Sequence, residues 1–365
     1  MTPATPSQSR AAAISAALRP YLILAVVCVL FSFWHDFRAT FWTRENLPNM
    51  LQQSARNIVL AVGMSFVILT AGIDLSVGAV LALSGVSLAM GLSGGFPQWL
   101  TFVAVLPLAA GAGWLVHKKT GKTFAALCIF GLVEVAGSIA LSKGIAGGVK
   151  VEGAIVLGLL VGAGCGIVNG LTVSLGKVPS FIATLGMLSA ARGLTLYATD
   201  GSSVSASLPR FMALGQGIPL ILIVLIVVLI GSILLTQTRF GRTILAIGGN
   251  EQAAHLSGVN VVQYKTLAYV VSGVCAAIGA VLVTAKFGTA DTNAGSGAEL
   301  DAIAAVVIGG TRLSGGQGSI VGALVGALTI TVIQTGLVLI GVRDMMQQVI
   351  LGAVIVLAVF VDKRK

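Results

Sequence analysis

Residues 217–236 read GIPLILIVLIVVLIGSILLT, twenty residues without a charge. A helix needs about 20 mostly apolar residues to cross the hydrocarbon core of a bilayer, and this run meets that length. Runs of the same kind recur at 18–35, 55–73, 75–94, 99–116, 124–142, 152–175, 180–198, 264–286, 299–311, 319–340 and 345–361. They are continuous rather than alternating, which excludes a transmembrane β-barrel. The expected fold is an all-α membrane protein: a polytopic helical bundle of about 10–12 transmembrane or half-membrane segments. Two segments are weaker, 180–198 because it contains Arg192 and 299–311 because it is short.

Composition agrees. Hydrophobic residues make up 56% of the 365-residue chain and charged residues only 9%, against roughly 25% charged in a soluble domain. The 47 glycines suit helices that must approach closely, since lipid gives them no hydrophobic reason to associate. The net charge of +10 reads as Lys and Arg collected in cytoplasmic loops, not as a nucleic-acid surface. Cys28, Cys128, Cys165 and Cys275 lie in apolar stretches without metal or disulfide spacing. The three histidines, His35, His117 and His255, are far apart. Neither a metal site nor a catalytic set is expected.

Orientation follows the basic loops. HKKTGK at 117–122, the 237–265 loop with Arg239, Arg242 and Lys265, the DKRK tail, and Arg10 with Arg19 all fit one side. With these cytoplasmic, the segments alternate and both termini lie inside. The 36–54 loop falls outside, its Arg38 and Arg44 balanced by Asp36 and Glu45. Residues 1–17 are polar and expected to be disordered and cytoplasmic. No small-residue cleavage site follows the first apolar run, which reads as a retained anchor. Residues 18–365 form one transmembrane domain.

An internal repeat is present. GLLVGA at 158–163 matches GALVGA at 322–327 in five of six positions, and each follows an acid–Leu motif, GIDLSVGA at 72–79 and GAELDAIA at 297–304. The matched helices run in opposite directions in this topology, so two pseudo-repeated, inverted halves are expected.

Residues 313–317 read LSGGQ, the letters of the signature loop of ATP-binding cassette ATPases. Such an ATPase also needs a GxxxxGK[ST] phosphate loop. The only candidate ends at Gly121-Lys122-Thr123, and Val116 stands where its first glycine belongs. The stretch joins two apolar segments, so its glycines serve a tight cytoplasmic turn.

The longest polar segment is TQTRFGRTILAIGGNEQAAHLSGVNVVQYK at 236–265. Asn250 is a good N-cap. Glu251 in the first turn and His255 in the last suit the helix dipole, and Gly258 suits a C-terminal stop. A two-turn helix over 251–257 is expected. Too short to stand alone in water, it should dock on its own protein or on a partner.

The runs FGRTILAIGGNEQAAHLSGVN (240–260), LDAIAAVVIGGTRLSGGQG (300–318), GIDLSVGAVLALSG (72–85) and VPSFIATLGMLSAARG (178–193) resemble the permease subunits of ribose- and xylose-type ABC sugar importers. The likeness covers about 50–95 and nearly everything from 150 onward. It implies a homodimeric permease of the bacterial inner membrane, a separate ABC ATPase carrying ATP and magnesium, and a periplasmic sugar-binding protein. This chain would hold no cofactor. The substrate implied is a small sugar, a pentose such as xylose or ribose. The coupling loop would be 237–263, with Gly241, Arg242, Gly248, Asn250, Glu251, Ala253, Ala254, His255, Ser257 and Gly258 as its contact residues. Segments 99–116 and 124–142 depart from the ribose-type pattern. They form an extra pair of spans over 99–142 that resembles the longer, xylose-type members and is readable as peripheral packing.

Asn57, Asp74, Asn169 and Gln334 are the candidates for the translocation pathway. Asp74 reads better as a cap for a helix opening at Leu75, and the amides equally suit interhelical hydrogen bonds. Glu299 and Asp301 read as first-turn acids, and Glu134 lies within an inserted span. An ion-coupled secondary sugar transporter is the alternative and would use Asp74 or Glu134 as its ion site.

Overall fold

The computed structural model describes residues 6–33, 43, 46–97, 99–120, 129, 131–133, 137–138 and 148–363. In chain order its elements are α1 (Pro6–Ser32), α2 (Asn46–Leu69), α3 (Val77–Ser93), α4 (Leu100–Thr120), α5 (Val151–Ser174), α6 (Ser180–Thr199), β1 (Val204–Ser205), α7 (Pro209–Met212), α8 (Gly217–Thr236), α9 (Arg239–Gly249), α10 (Glu251–Leu256), α11 (Val261–Phe287), β2 (Thr289–Ala290), α12 (Ala298–Ile308), α13 (Ile320–Leu339) and α14 (Asp344–Lys363). Among the described residues the fold is all-α but for one antiparallel pairing of the two-residue strands. Among the described residues five helices, α5, α6, α8, α11 and α13, are long and apolar enough to cross a membrane.

Helix α11 is the hub. It packs against α5, α2 and α3. The α5 seam is built from glycines four residues apart. A Cβ on Gly162 would collide with the Gly273 carbonyl, and one on Gly273 with the Gly162 carbonyl. A Cβ on Gly166 would lie 2.5 Å from the Tyr269 carbonyl oxygen, and one on Gly170 2.6 Å from Thr266 Cα. Lipid is as apolar as leucine, so van der Waals contact at this closeness is what holds such helices together. Helix α8 leaves Leu222, Leu225, Ile226, Leu229 and Ile230 exposed, as a helix facing lipid requires.

The repeated motifs occupy matching places. Helix α5, which opens into the first GxxxG, packs on α3, and α13, which carries the second, packs on α12. Gly158 faces the Ser84 carbonyl of α3, and Gly322 and Gly326 face the backbone of Gly309 and Ala305. The two partners differ in length. Helix α3 has 17 residues and α12 has 11, so α12 spans only about 16 Å.

Several boundaries depart from expectation. Helix α1 begins at Pro6, inside the stretch read as disordered. Helix α2 begins at Asn46, so the second half of the 36–54 loop is helical despite its polar residues. The weak 180–198 segment is a full 20-residue helix. The first inserted segment is not peripheral: Leu100 and Ala104 of α4 belong to the main core, and Gly164 of α5 packs on the Val103 carbonyl. Residues 36–42, Glu134 and most of segment 124–142 lie outside the described residues.

Candidate functional site

The polar loop forms two helices where the sequence suggested one. In α9, Thr238 caps the start by accepting from the Gly241 N–H at 3.3 Å. Gly241, Ile244 and Ile247 turn inward. Phe240 stacks on Phe66 of α2 at 5.7 Å and on Tyr264 of α11 at 6.2 Å. The signal was legible in the sequence: Phe240, Ile244 and Ile247 recur at helical spacing.

The helix expected over 251–257 forms as α10, Glu251–Leu256. Asn250 Oδ1 accepts from the Ala253 N–H at 2.9 Å. At the far end, the Ser257 hydroxyl donates to the Ala253 carbonyl at 2.9 Å. Gly258 has φ +82°, and its N–H donates to the His255 carbonyl at 3.0 Å. Ala254 is buried, and Glu251 pairs with Lys265 Nζ at 2.9 Å. Leu256, which the sequence did not single out, is 86% exposed. A cleft of about 590 Å³ opens beside α10, lined by Ser174, Lys177, Gln252 and His255 among others. The Arg242 guanidinium donates to the Gln237 carbonyl at 3.5 Å.

LSGGQ makes the tight turn expected of it, with φ +83° at Gly315 and +75° at Gly316. Its second role was not foreseen. The Gly316 N–H donates to the Leu69 carbonyl at the end of α2, at 3.0 Å. A Cβ on Gly315 would lie 2.7 Å from the Ala71 nitrogen, and one on Gly248 2.5 Å from the Gly316 nitrogen. The end of α2, the 313–317 turn and the α9–α10 junction therefore meet backbone on backbone.

Asp74 does not cap a helix opening at Leu75, because α3 begins at Val77. Its Oδ1 instead accepts from the Ser76 N–H at 3.0 Å and the Ser76 hydroxyl at 2.6 Å. Its Oδ2 accepts from the Ser272 hydroxyl of α11 at 2.8 Å. Asn169 Nδ2 of α5 donates to Ser76 Oγ at 2.8 Å. Two of the four pathway candidates, Asp74 and Asn169, thus share one buried node between the α2–α3 break, α5 and α11. Ser76 and Ser272 were missed because serine is too common to signal a role.

The other two candidates gather elsewhere. Gln334 Nε2 donates to Asp301 Oδ2 at 3.0 Å, and Arg56 Nη2 lies 4.0 Å from the same oxygen. Arg56 Nε donates to Asn57 Oδ1 at 3.2 Å. Asp301 is a first-turn acid of α12, as expected. Arg56 was missed, although a cation at the head of an apolar run is itself a signal. Asn57 precedes the last residue of α2 by twelve positions, about 18 Å along the axis, so the two polar groups lie at different depths.

Residues 46–359 match a family model described as the branched-chain amino acid transport system / permease component. The chain is 37% identical to the ribose import permease protein of Escherichia coli K12, covering 94% of this chain and 93% of that one. It is 38% identical to the ribose import permease protein of Bacillus subtilis 168, covering 95% and 93%. It is 34% identical to the xylose transport system permease protein of E. coli K12, covering 93% and 90%. No solved structure matches.

Proposed function

The chain belongs to the branched-chain amino acid transport system / permease component family, and we propose that it is the membrane subunit of an ATP-driven importer of a small sugar. The family's description names amino acids, but relatives matched over nearly the whole chain are named for ribose and xylose. A pentose is therefore the substrate we assign. The partners would be a second copy of the chain, a separate ABC ATPase holding ATP and magnesium, and a periplasmic sugar-binding protein. The compartment would be the bacterial inner membrane, with both termini cytoplasmic.

The observation that carries the coupling role is the seating of α10. A two-turn helix is marginal by itself, yet this one is capped at both ends, ion-paired to α11 and fixed through Gly248 to the turn at Gly316. Leu256 and His255 remain free to meet a partner. A push on α10 would pass through Gly248 and Gly316 to the end of α2, then through Ala71 to the Asp74 node and so to α5 and α11. Rigid backbone contacts suit this transmission because they do not absorb displacement in side-chain rotation. Rocking of the halves would then open the sugar path to each side in turn.

The test is affinity purification from the native membrane in mild detergent, followed by uptake in vesicles. Co-purification of a soluble protein with two nucleotide sites, and uptake of labelled ribose or xylose that requires ATP, supports the reading. Uptake by the chain alone, driven by an ion gradient with no ATP, rejects it in favour of an ion-coupled transporter. Leucine as competitor separates the amino-acid reading from the sugar one.

A further inference from the structure

Helix α11 begins beside α10, where Lys265 pairs with Glu251, and runs for 27 residues to Phe287. That length is roughly 40 Å, more than the ~30 Å hydrocarbon core. Whatever lies at the far end of α11 therefore faces the opposite side of the membrane from α10. A cleft of about 540 Å³ opens there, within the size range of small-molecule sites. Its lining includes Arg56, Phe287, Thr289, Asp291, Asn293 and Ser296.

The chemistry of this lining is mixed in a specific way. Phe287 is 65% exposed, with Lys286 Nζ 5.6 Å from its ring centroid, which leaves the other ring face for a guest. Asp291, Asn293 and Ser296 are exposed polar groups. Arg56 uses its Nε on Asn57 and holds Asp301 only at 4.0 Å, so guanidinium donors remain for a guest.

The cleft is also pre-formed. Its rim, residues 289–296, is pinned from three directions. Thr289 and Ala290 pair with Ser205 and Val204. Arg192 of α6 donates to the Thr292 and Ala294 carbonyls and to Ser296 Oγ. Gly295, at φ +74°, packs on the backbone of Gly78 in α3. The charge that weakened segment 180–198 thus has a structural use. Donors and acceptors held at fixed positions beside a flat apolar ring match a monosaccharide, with a ring of hydroxyls at its edge and C–H groups on its face.

We propose that this cleft, on the membrane face opposite α10, is an acceptance site that receives the free monosaccharide before it enters the pathway. The proposal rests on the sugar-importer reading. Phe287 would take the C–H face, while Asp291 and Asn293 accept from and donate to adjacent hydroxyls and Arg56 donates from below. Affinity should be low, since a carrier must release what it receives.

The test uses the full chain in nanodiscs and, separately, in vesicles with its ATPase and binding protein. Variants are Phe287→Ala and Asn293→Ala, both at exposed side chains. The first probe is saturation-transfer NMR with D-ribose and D-xylose; the second is ATP-driven uptake beside ATP hydrolysis stimulated by loaded binding protein. The expected result is a sugar signal on the wild type that each variant weakens about five- to tenfold. Maximal uptake should fall likewise while stimulated hydrolysis is unchanged. Variants that bind and transport like a working wild type overturn the proposal and leave the importer reading intact. Lost stimulation of hydrolysis overturns it too, marking the cleft as a docking surface for the binding protein. Absence of sugar uptake in the wild type itself would instead reject the importer reading.

Discussion

Gly248 and Gly316 meet backbone to backbone: a methyl group on Gly248 would lie 2.5 Å from the Gly316 nitrogen, whose hydrogen is bonded to the Leu69 carbonyl at 3.0 Å. A Cβ on the neighbouring Gly249 would meet nothing within 4 Å. These two glycines form a matched pair for experiment. Gly248→Ala should open the junction between α10 and α2, and Gly249→Ala should not. In vesicles holding the whole importer, Gly248→Ala is expected to hydrolyse ATP with uptake reduced about tenfold or more, while Gly249→Ala transports normally. Equal uptake by both variants would mean that the junction transmits nothing.

The short helix itself gives the second prediction. The Ala254 N–H donates to the Asn250 carbonyl at 3.0 Å, the first bond of α10. Proline at 254 removes that donor and costs about 3 kcal/mol in a helix, more than two turns can supply. Ala254→Pro should leave the protein folded in the membrane and uncouple uptake from ATP. Asn250→Ala, losing only a cap of about 1 kcal/mol, should be a partial version of the same defect. Leu256→Asp is expected to keep fold and thermal stability but reduce the ATPase recovered on purification.

The helical bundle was legible because membrane helices must be apolar along their length, and residues 217–236 or 264–286 carry that signature plainly. What the sequence hid was of two kinds. Polar residues that lie within helices, such as Gln52 and Gln53 of α2, resemble loop until tertiary partners are known. Contacts made by backbone alone leave no side-chain pattern, so nothing marked Gly316 as a partner of Leu69 and Gly248. The cap at Asn250 was readable because it is local. Asp74 was misread for the converse reason: two of its acceptor contacts are with nearby Ser76, but the third, Ser272, comes from a distant helix.

That third contact separates the two transport mechanisms. Asp74 is 2% exposed, and both its oxygens accept hydrogen bonds from this chain. Asp74→Asn keeps one acceptor oxygen and the shape, so ATP-driven uptake should survive with some loss of stability. Asp74→Ala strands the hydroxyls of Ser76 and Ser272, at about 1–3 kcal/mol for each buried group left unpaired, and should lower the melting temperature markedly. An ion-coupled carrier would behave differently, losing uptake in the Asn variant because the charge itself would be needed.

The glycine seam yields a prediction whose sign depends on position. Gly273 of α11 lies so close to Gly162 that a Cβ on either meets the other's carbonyl. Gly193, also within a helix, has nothing within 4 Å of its Cβ position. Gly273→Ala must push α5 and α11 apart along their whole contact, because Gly166 and Gly170 continue the same seam. Gly193→Ala removes backbone freedom at a site with room for the methyl, a change that stabilises by about 0.4–1 kcal/mol. Thermal unfolding in detergent should therefore fall by many degrees for Gly273→Ala and hold or rise slightly for Gly193→Ala. Insertion into the membrane should be the same for both, since each change adds only one methyl group to its segment. A seam that tolerated alanine at 273 would mean that α5 and α11 are held by something other than close backbone packing.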